Sequence, residues 1–425
     1  MATGNLLSAL QLIRCTGRIT RKELARGLGL GASMTSKIVS ELFEQRLVCE
    51  VGRSEPESGR PPDLIALNPE AGYAVGLDIS GTHQKVVVVN LCGEVVASLS
   101  ESELIPADRQ AVLASLEQLI QRALGLCGMP ACAIMGVGIG LRAIVNPLTG
   151  TVSSWPETPE LAAAWKDFAV RDALKSRWSF PHIIVDDIAR TLGTAERQYG
   201  HSQGREADFA FVLADWGIGL ALMVNGAPYV GPLQIAGEIG HVPVRNVEIH
   251  CNCGNVGCLE TVASASAVLK RVRERLAVSG VWSALRDGTD REAELTIERV
   301  IASAEAGDKL AFQVLTEAGE YFGFGLAIVV NMFGPELVVV GGSLAKSEAY
   351  MEAARRSMRM QVLSKAAPLV RVEASQLDEL AGARGAATHV LNALFQPGSL
   401  NLLALRTLST AAVVETGLAP TPANS

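Results

Sequence analysis

The chain has 425 residues, of which 48% are hydrophobic and 19% charged, enough apolar material for two or three packed domains and too much for a disordered chain. No run of about 18 uncharged apolar residues occurs, and the amino terminus lacks the basic, apolar, small-residue order of a secretion signal; both argue against a membrane-spanning or exported protein, so a cytoplasmic location is expected. The net charge of -7 is unevenly spread: residues 1–54 carry eight Lys/Arg against four Asp/Glu, and the remainder 29 against 40, so only the basic head suits a polyanion.

In the head, Leu6, Leu10 and Ile13 recur at helical spacing and the pattern stops at Gly17, which predicts a first helix. Thr20-Arg21-Lys22-Glu23 has the form of a capping box opening a second helix, with Leu24 and Leu28 facing inward. Gly27, Gly29 and Gly31 are expected to break it. A third helix then starts near Ser33, burying Ile38, Val39 and Leu42. Its opening residues Ser33, Thr35, Ser36 and Lys37 are small, polar or cationic, as suits a helix entering a DNA major groove. Leu47–Val51 and Asp63–Leu67 read as a hairpin whose turn carries Arg53 and Arg60, within reach of a minor groove or backbone. The order predicts a winged helix-turn-helix over residues 1–70, binding operator DNA.

The body, residues 71–395, opens with an apolar strand, 73–79, that ends in Asp and a Gly turn, followed by strands at 85–90 and 94–99. A helix at 109–126, strands at 134–139 and 182–185 and a helix through Glu196 continue an α/β order. A second sheet-containing lobe follows: strands at 210–214 and 219–224, a long helix at 309–333, a strand at 337–340 closed by Gly341-Gly342, and a helix from about 347. The tail, 396–425, is rich in Ala, Thr and Pro and reads as a frayed end, with one apolar run at 400–405.

The most specific feature is Cys251-Asn252-Cys253-Gly254-Asn255-Val256-Gly257-Cys258, ten residues after His241 in Gly237-Glu238-Ile239-Gly240-His241. Three thiolates and an imidazole favour Zn²⁺, and the glycines let a short loop converge its sulfurs. His241 is the preferred fourth ligand over His250, which adjoins Cys251 too closely to share one tetrahedron with it. Cys15, Cys49, Cys92, Cys127 and Cys132 stand apart, so a reducing compartment with one metal site is expected and a disulfide framework is not.

Taken with Asp78-Ile-Ser-Gly-Thr82, Val185-Asp-Asp187, Gly217-Ile-Gly219 and Val340-Gly-Gly342, the Gly-Glu-x-Gly-His motif and the cysteine loop ending in Leu259-Glu260 resemble the ROK family of bacterial sugar kinases and sugar-responsive repressors. The resemblance spans roughly residues 5–395, and it implies a two-lobed actin-like, ribonuclease-H-like fold with a zinc loop at 241–260. The head, ending in Ser58-Gly-Arg-Pro-Pro62, resembles the repressor branch. It further implies zinc ligands at His241, Cys251, Cys253 and Cys258, and sugar contacts at Glu238, His241 and Glu260. Carboxylates accept paired hydrogen bonds from vicinal diols, and a metal-held imidazole is fixed in orientation. Asp187 resembles the acid that deprotonates the sugar hydroxyl in the kinases, with Asp186 as its rival.

Departures from the kinase pattern favour a regulator. Ser80 stands where the kinases carry a second Gly, and Asp215-Trp216 precede the Gly217-Ile-Gly219 turn, with Trp216 where a Thr belongs; both oppose ATP binding. Arg142 replaces part of a sugar-lining Pro-Gly turn and suggests a charged or phosphorylated effector. The expectation is therefore a non-enzymatic, sugar-responsive repressor, acting as a homodimer or homotetramer; the alternative is a sugar kinase carrying a DNA-binding head, with Asp187 as its catalytic base.

Overall fold

The computed structural model describes residues 3–53, 61–80, 83–102, 108–128, 133–155, 159–201, 207–278, 280, 282–286 and 295–395. Arg60, the Gly81-Thr82 turn and the tail 396–425 lie outside them. The chain divides into two compact units. One holds the residues up to Leu141, Ala169–Asp186 and the segment from Gly382, and the other holds Arg142–Phe168 and Asp187–Ala381.

The first unit begins with α1 (Thr3–Thr16), β1 (Ile19–Thr20), α2 (Arg21–Leu28), α3 (Ala32–Glu44), β2 (Val48–Arg53) and β3 (Asp63–Leu67). The three strands pair in the order β1-β3-β2, so the predicted three helices and hairpin are present with one short strand added. The capping box forms as read: the Glu23 amide donates to the Thr20 hydroxyl, and the Thr20 amide donates to the Glu23 carboxylate at 2.9 Å. Gly27 plays a different part from the one expected. It lies inside α2, where a Cβ would come within 2.5 Å of Leu12 Cδ2, so its bare backbone admits α1. Gly29, at φ +64°, is the residue that ends the helix.

The order continues with β4 (Tyr73–Ile79), β5 (His83–Asn90), β6 (Val95–Ser102), α4 (Arg109–Cys127), β7 (Ile134–Leu141), β8 (Ile144–Asn146), β9 (Thr151–Ser154), α5 (Pro159–Trp165), β10 (Phe168–Ala169), α6 (Val170–Lys175) and β11 (His182–Asp187). Beyond these come α7 (Ile188–Tyr199), β12 (Phe209–Ala214), β13 (Ile218–Val224), β14 (Ala227–Pro228), α8 (Glu260–Ala263), α9 (Ala265–Ala277), α10 (Ile297–Glu305), α11 (Lys309–Phe333), β15 (Leu337–Gly341), α12 (Glu348–Gln361), β16 (Arg371–Ala374) and α13 (Ala381–Leu394).

Two five-stranded sheets organise these elements, ordered β11-β7-β4-β5-β6 and β16-β15-β12-β13-β14. Each opens with an antiparallel meander, β4-β5-β6 or β12-β13-β14, and then adds a strand parallel to its first, β7 beside β4 or β15 beside β12. The same fold thus occurs twice. Its central strands β4, β7, β12 and β15 are buried at every residue, the pattern of strands covered on both faces.

The helix that follows the last strand of each sheet changes unit. α7 follows β11 but belongs to the second unit, and α13 follows β16 but belongs to the first. α13 lies backbone to backbone on its strands: a Cβ at Gly76 of β4 would stand 1.9 Å from the Ala383 carbonyl oxygen, and one at Gly138 of β7 1.9 Å from that of Ala386. Among the described residues no helix is long and apolar enough to cross a membrane.

This seat makes a prediction. Gly138→Val should destabilise the protein by about 3 kcal/mol through forced displacement of α13, whereas Gly125→Ala on α4, where a Cβ meets nothing within 4 Å, should be neutral or stabilising by about 0.5 kcal/mol. Urea unfolding of the two variants measures the contrast.

Candidate functional site: a cysteine cluster beside a carboxylate cavity

The Gly-Glu-Ile-Gly-His segment is pressed against β13. The Leu220 amide donates to the Gly237 carbonyl at 2.9 Å, and a Cβ at Gly237 (φ +109°) would stand 2.1 Å from the Leu220 carbonyl oxygen. A single 3-10 turn, Ile239–His241, then presents the imidazole. The cysteine loop closes on itself through Cys251 N to Asn255 O at 2.8 Å and Val244 N to Gly257 O at 2.7 Å, with Gly254 and Gly257 at φ +96° and +78°.

These turns gather the donor atoms of His241, Cys251, Cys253 and Cys258 within 4.8 Å of one another. Cys251 Sγ lies 3.7 Å from His241 Nδ1, and the Cys253 and Cys258 sulfurs are 3.6 Å apart. His250 is exposed and bridges Val256, outside the cluster. Burial pushes the Cys258 thiol well above its ordinary range, reinforced by the Cys253 and Cys251 sulfurs, and burial raises Cys251 too. Three close sulfurs cannot all ionise without a compensating cation, and a bound metal ion would supply one by displacing their protons. The donor set, thiols with one imidazole, fits a tetrahedral transition metal.

The other edge of the imidazole faces a cavity of about 60 Å³ in the second unit, whose walls include Arg142, Asp187, Arg190, Glu238, His241 and Glu260. His241 Nε2 lies 3.9 Å from Glu238 Oε2. Asp187 is the N-cap of α7, its carboxylate accepting from the Ala189 amide at 2.8 Å and the Arg190 amide at 3.3 Å. Glu260 opens α8 and accepts from the Ile218 amide at 3.0 Å; a Cβ at Gly217 would come within 2.6 Å of the same oxygen, so a larger residue there would displace the carboxylate. Burial, with Asp187 and Glu260 nearby, pushes Glu238 up to about 8 against the opposing pull of Arg190.

The structure therefore brings together Asp187, Glu238, His241 and Glu260. It leaves Asp186 elsewhere: that residue belongs to the first unit, is 4% exposed, and places Oδ2 3.4 Å from His389 Nδ1. Sequence reasoning missed Arg190, 2% exposed, whose Nη2 donates to the Val145 carbonyl at 2.9 Å. The available signal was an arginine in the first turn after Asp187.

The glycine turns after β12 and β15 are pinned together. Asp215 accepts from the Ser343 hydroxyl at 2.9 Å, the Ser343 amide at 3.4 Å and the Trp216 amide at 2.9 Å, while Trp216 is 39% exposed. In the first unit, the Ser80 hydroxyl donates to the Asp78 carboxylate.

On the head, Ser33, Ser36 and Lys37 are exposed along α3. Thr35 is not: it is 1% exposed, and its hydroxyl donates back to the Gly31 carbonyl at 3.2 Å. The expected groove-facing role of Thr35 is thereby corrected, because the helical period that buries Ile38, Val39 and Leu42 turns residue 35 inward with them. Arg53 is exposed and pairs with Asp63 at 3.3 Å.

Comparison with known proteins places this geometry. The ROK family signature matches residues 74–393. The chain is 26% identical over 389 residues to the xylose repressor of Caldicellulosiruptor bescii, covering 91% of this chain and 95% of that protein. It is similar to a crystal structure of a ROK family transcriptional regulator, a homologue of the E. coli MLC protein, with a TM-score of 0.78, 26% identity and coverage of 94% of this chain and 98% of that one. A ROK family glucokinase from Streptomyces griseus shares the fold at a TM-score of 0.66 and 24% identity, covering 75% of this chain and 99% of the kinase. The family match covers most of the body, and the chain belongs to the ROK family.

Proposed function

We propose that this protein is a sugar-responsive transcriptional repressor: a head of residues 1–70 binds operator DNA, and residues 71–395 bind a sugar effector. The observation that carries this reading is the cavity in which Asp187, Glu238 and Glu260 converge with His241. Carboxylates at several angles accept from the hydroxyls of one sugar ring, while an imidazole nitrogen donates or accepts beside them. Similarity to a transcriptional regulator over 94% of this chain supports the DNA-binding half.

Zinc is the metal that best suits His241, Cys251, Cys253 and Cys258. Bound there, it would cross-link the loop and hold His241 through Nδ1. The ring proton would then sit on Nε2, directed toward Glu238 and the cavity. Three carboxylates face two guanidiniums, Arg142 and Arg190, so the cavity has no surplus positive charge. That balance suits a neutral sugar better than the charged or phosphorylated effector suggested by Arg142 alone. Xylose is the first candidate, given the relative's name.

On the head, Ser33, Ser36 and Lys37 of α3 would meet bases and phosphates, with Arg53 and Arg60 on the hairpin reaching the adjoining backbone. A homodimer would present two such heads to a two-fold operator, and a homotetramer two pairs. The kinase alternative is disfavoured by Asp215, whose carboxylate bonds Ser343 across the two glycine turns, where a phosphate would meet like charge.

Three measurements test this reading. Elemental analysis should find one zinc per chain, and chelation or Cys258→Ser should lower the melting temperature by on the order of 10 °C; retention should weaken as pH falls, because protons compete for the thiolates. Zinc-free protein of undiminished stability would refute the assignment. Lys37→Ala should weaken binding to a duplex selected by the full-length protein about tenfold and reduce its salt dependence by about one phosphate contact; unchanged binding would place the DNA contact elsewhere. Calorimetry should detect xylose binding that Asp187→Asn weakens at least about tenfold, with no turnover of ATP plus sugar. Turnover abolished by the same substitution would establish the kinase instead.

A further inference from the structure

The exchange of α7 and α13 leaves the end of each sheet's last strand clasped by a side chain of the helix that has crossed over. Ser375, just after β16, donates its hydroxyl to Glu196 Oε2 at 2.6 Å, and Glu196 is fully buried. Asp186, near the end of β11, lies 3.4 Å from His389 Nδ1 and is 4% exposed. Glu196 is the ninth residue of α7, and His389 is the ninth of α13. The duplicated fold has placed a polar clasp at the same point twice, with different chemistry in each copy. The Asp186 clasp adjoins, through one peptide bond, the cavity residue Asp187.

α13 has a second set of partners. Asn392, one turn beyond His389, accepts from Arg14 Nη2 at 2.8 Å through Oδ1, and the Arg14 guanidinium stands 4.7 Å over the Phe395 ring. Gln11 Nε2 donates to the Phe395 carbonyl at 2.6 Å. Gln11 and Arg14 share one face of α1, away from the Leu6, Leu10 and Ile13 face that forms the core of the head. α13 therefore holds the strand end that leads to the effector residue and, one turn on, the first helix of the head. The rest of its length is fixed against β4 and β7 by backbone contact at Gly76 and Gly138, so the helix can transmit a displacement at one end only by moving as a body.

We propose that His389 and Asn392 are the positioning residues that couple the effector cavity to the DNA-binding head: a change at Asp187 pulls on Asp186, His389 carries it into α13, and Asn392 with Phe395 hands it to α1 through Arg14 and Gln11. This inference rests on the repressor reading given above. It differs from that reading in locating the coupling in side chains that touch neither sugar nor DNA.

The test compares full-length wild type with His389→Ala, Asn392→Ala and His389→Asn, the last retaining a donor near the Nδ1 position. Xylose affinity is read by calorimetry, and affinity for the selected duplex is read with and without saturating xylose. Both alanine variants should bind xylose and, without sugar, DNA within about threefold of wild type, yet lose at least about fivefold of the sugar-induced change in DNA affinity, while His389→Asn retains it. Variants that keep the full wild-type change overturn the proposal. Hydrogen exchange tests the clasp without any sugar: His389→Ala should raise exchange in α1 at least about threefold relative to α3, and unaltered α1 exchange refutes the relay. A wild type that ignores xylose while this exchange effect appears would count against the choice of effector and for the clasp.

Discussion

A parallel strand buried on both faces needs a helix on each side, and this chain meets that requirement by sending the helix that follows each sheet to the other unit. The consequence is visible in the glycines. Gly76 and Gly138 are bare because α13 lies on them backbone to backbone, and Gly193 of α7 is bare because a Cβ there would come within 2.7 Å of Ala221 Cβ on β13. Close seating of this kind exchanges side-chain volume for dispersion contacts between backbones, and it leaves little slack along the interface. The chain crosses between the units four times, and at two of those crossings, Asp186 to Asp187 and Ala381 to Gly382, polar side chains hold the strand ends nearby.

The candidate site follows from the same economy of contacts. One imidazole serves two environments, with Nδ1 toward the sulfurs and Nε2 toward Glu238. A side chain with two distinct nitrogens is needed for this, since fixing one of them determines what the other can donate or accept. Glu260 is tied to the amide of Ile218, and Asp187 to the first turn of α7. The carboxylates are thus anchored by backbone groups of regular elements, and rigid anchoring keeps the ordering cost of binding small. Arg190 lies among them at 2% exposure and offsets part of the burial and neighbouring charge that push Glu238 up.

Much of this was legible in the sequence where a local rule has a local consequence. The capping box at Thr20 and Glu23, the strand at Asp63–Leu67, the long α11 and the convergence of His241 with Cys251, Cys253 and Cys258 all depend on residues close in the chain, or on a spacing that chemistry constrains tightly. Gly27 was misread because its reason is a neighbour's side chain, Leu12, and Thr35 because a polar residue at a groove-like position can be turned inward by the period of its own helix. Arg190 and the Asp186–His389 contact were invisible for a related cause. They are set by which elements share a unit, and adjacent aspartates differing in one peptide bond give no local hint of which faces the cavity.

Regulation and phosphoryl transfer place opposite demands on a fold of this kind, and the glycine turns of the second unit indicate how the balance has been struck. A phosphate site needs backbone amides pointing into open space and a polarity that welcomes negative charge. Here the Ser343 amide and hydroxyl are committed to Asp215, and the Trp216 amide to the same carboxylate. The Asp215 side chain thus occupies donors of both turns and ties the turns to each other. Such a clasp costs a regulator nothing, since its task is to bind a sugar without consuming it. The same bonds tie the ends of β12 and β15 together, so a ligand in the cavity of Asp187, Glu238 and Glu260 would meet a braced sheet.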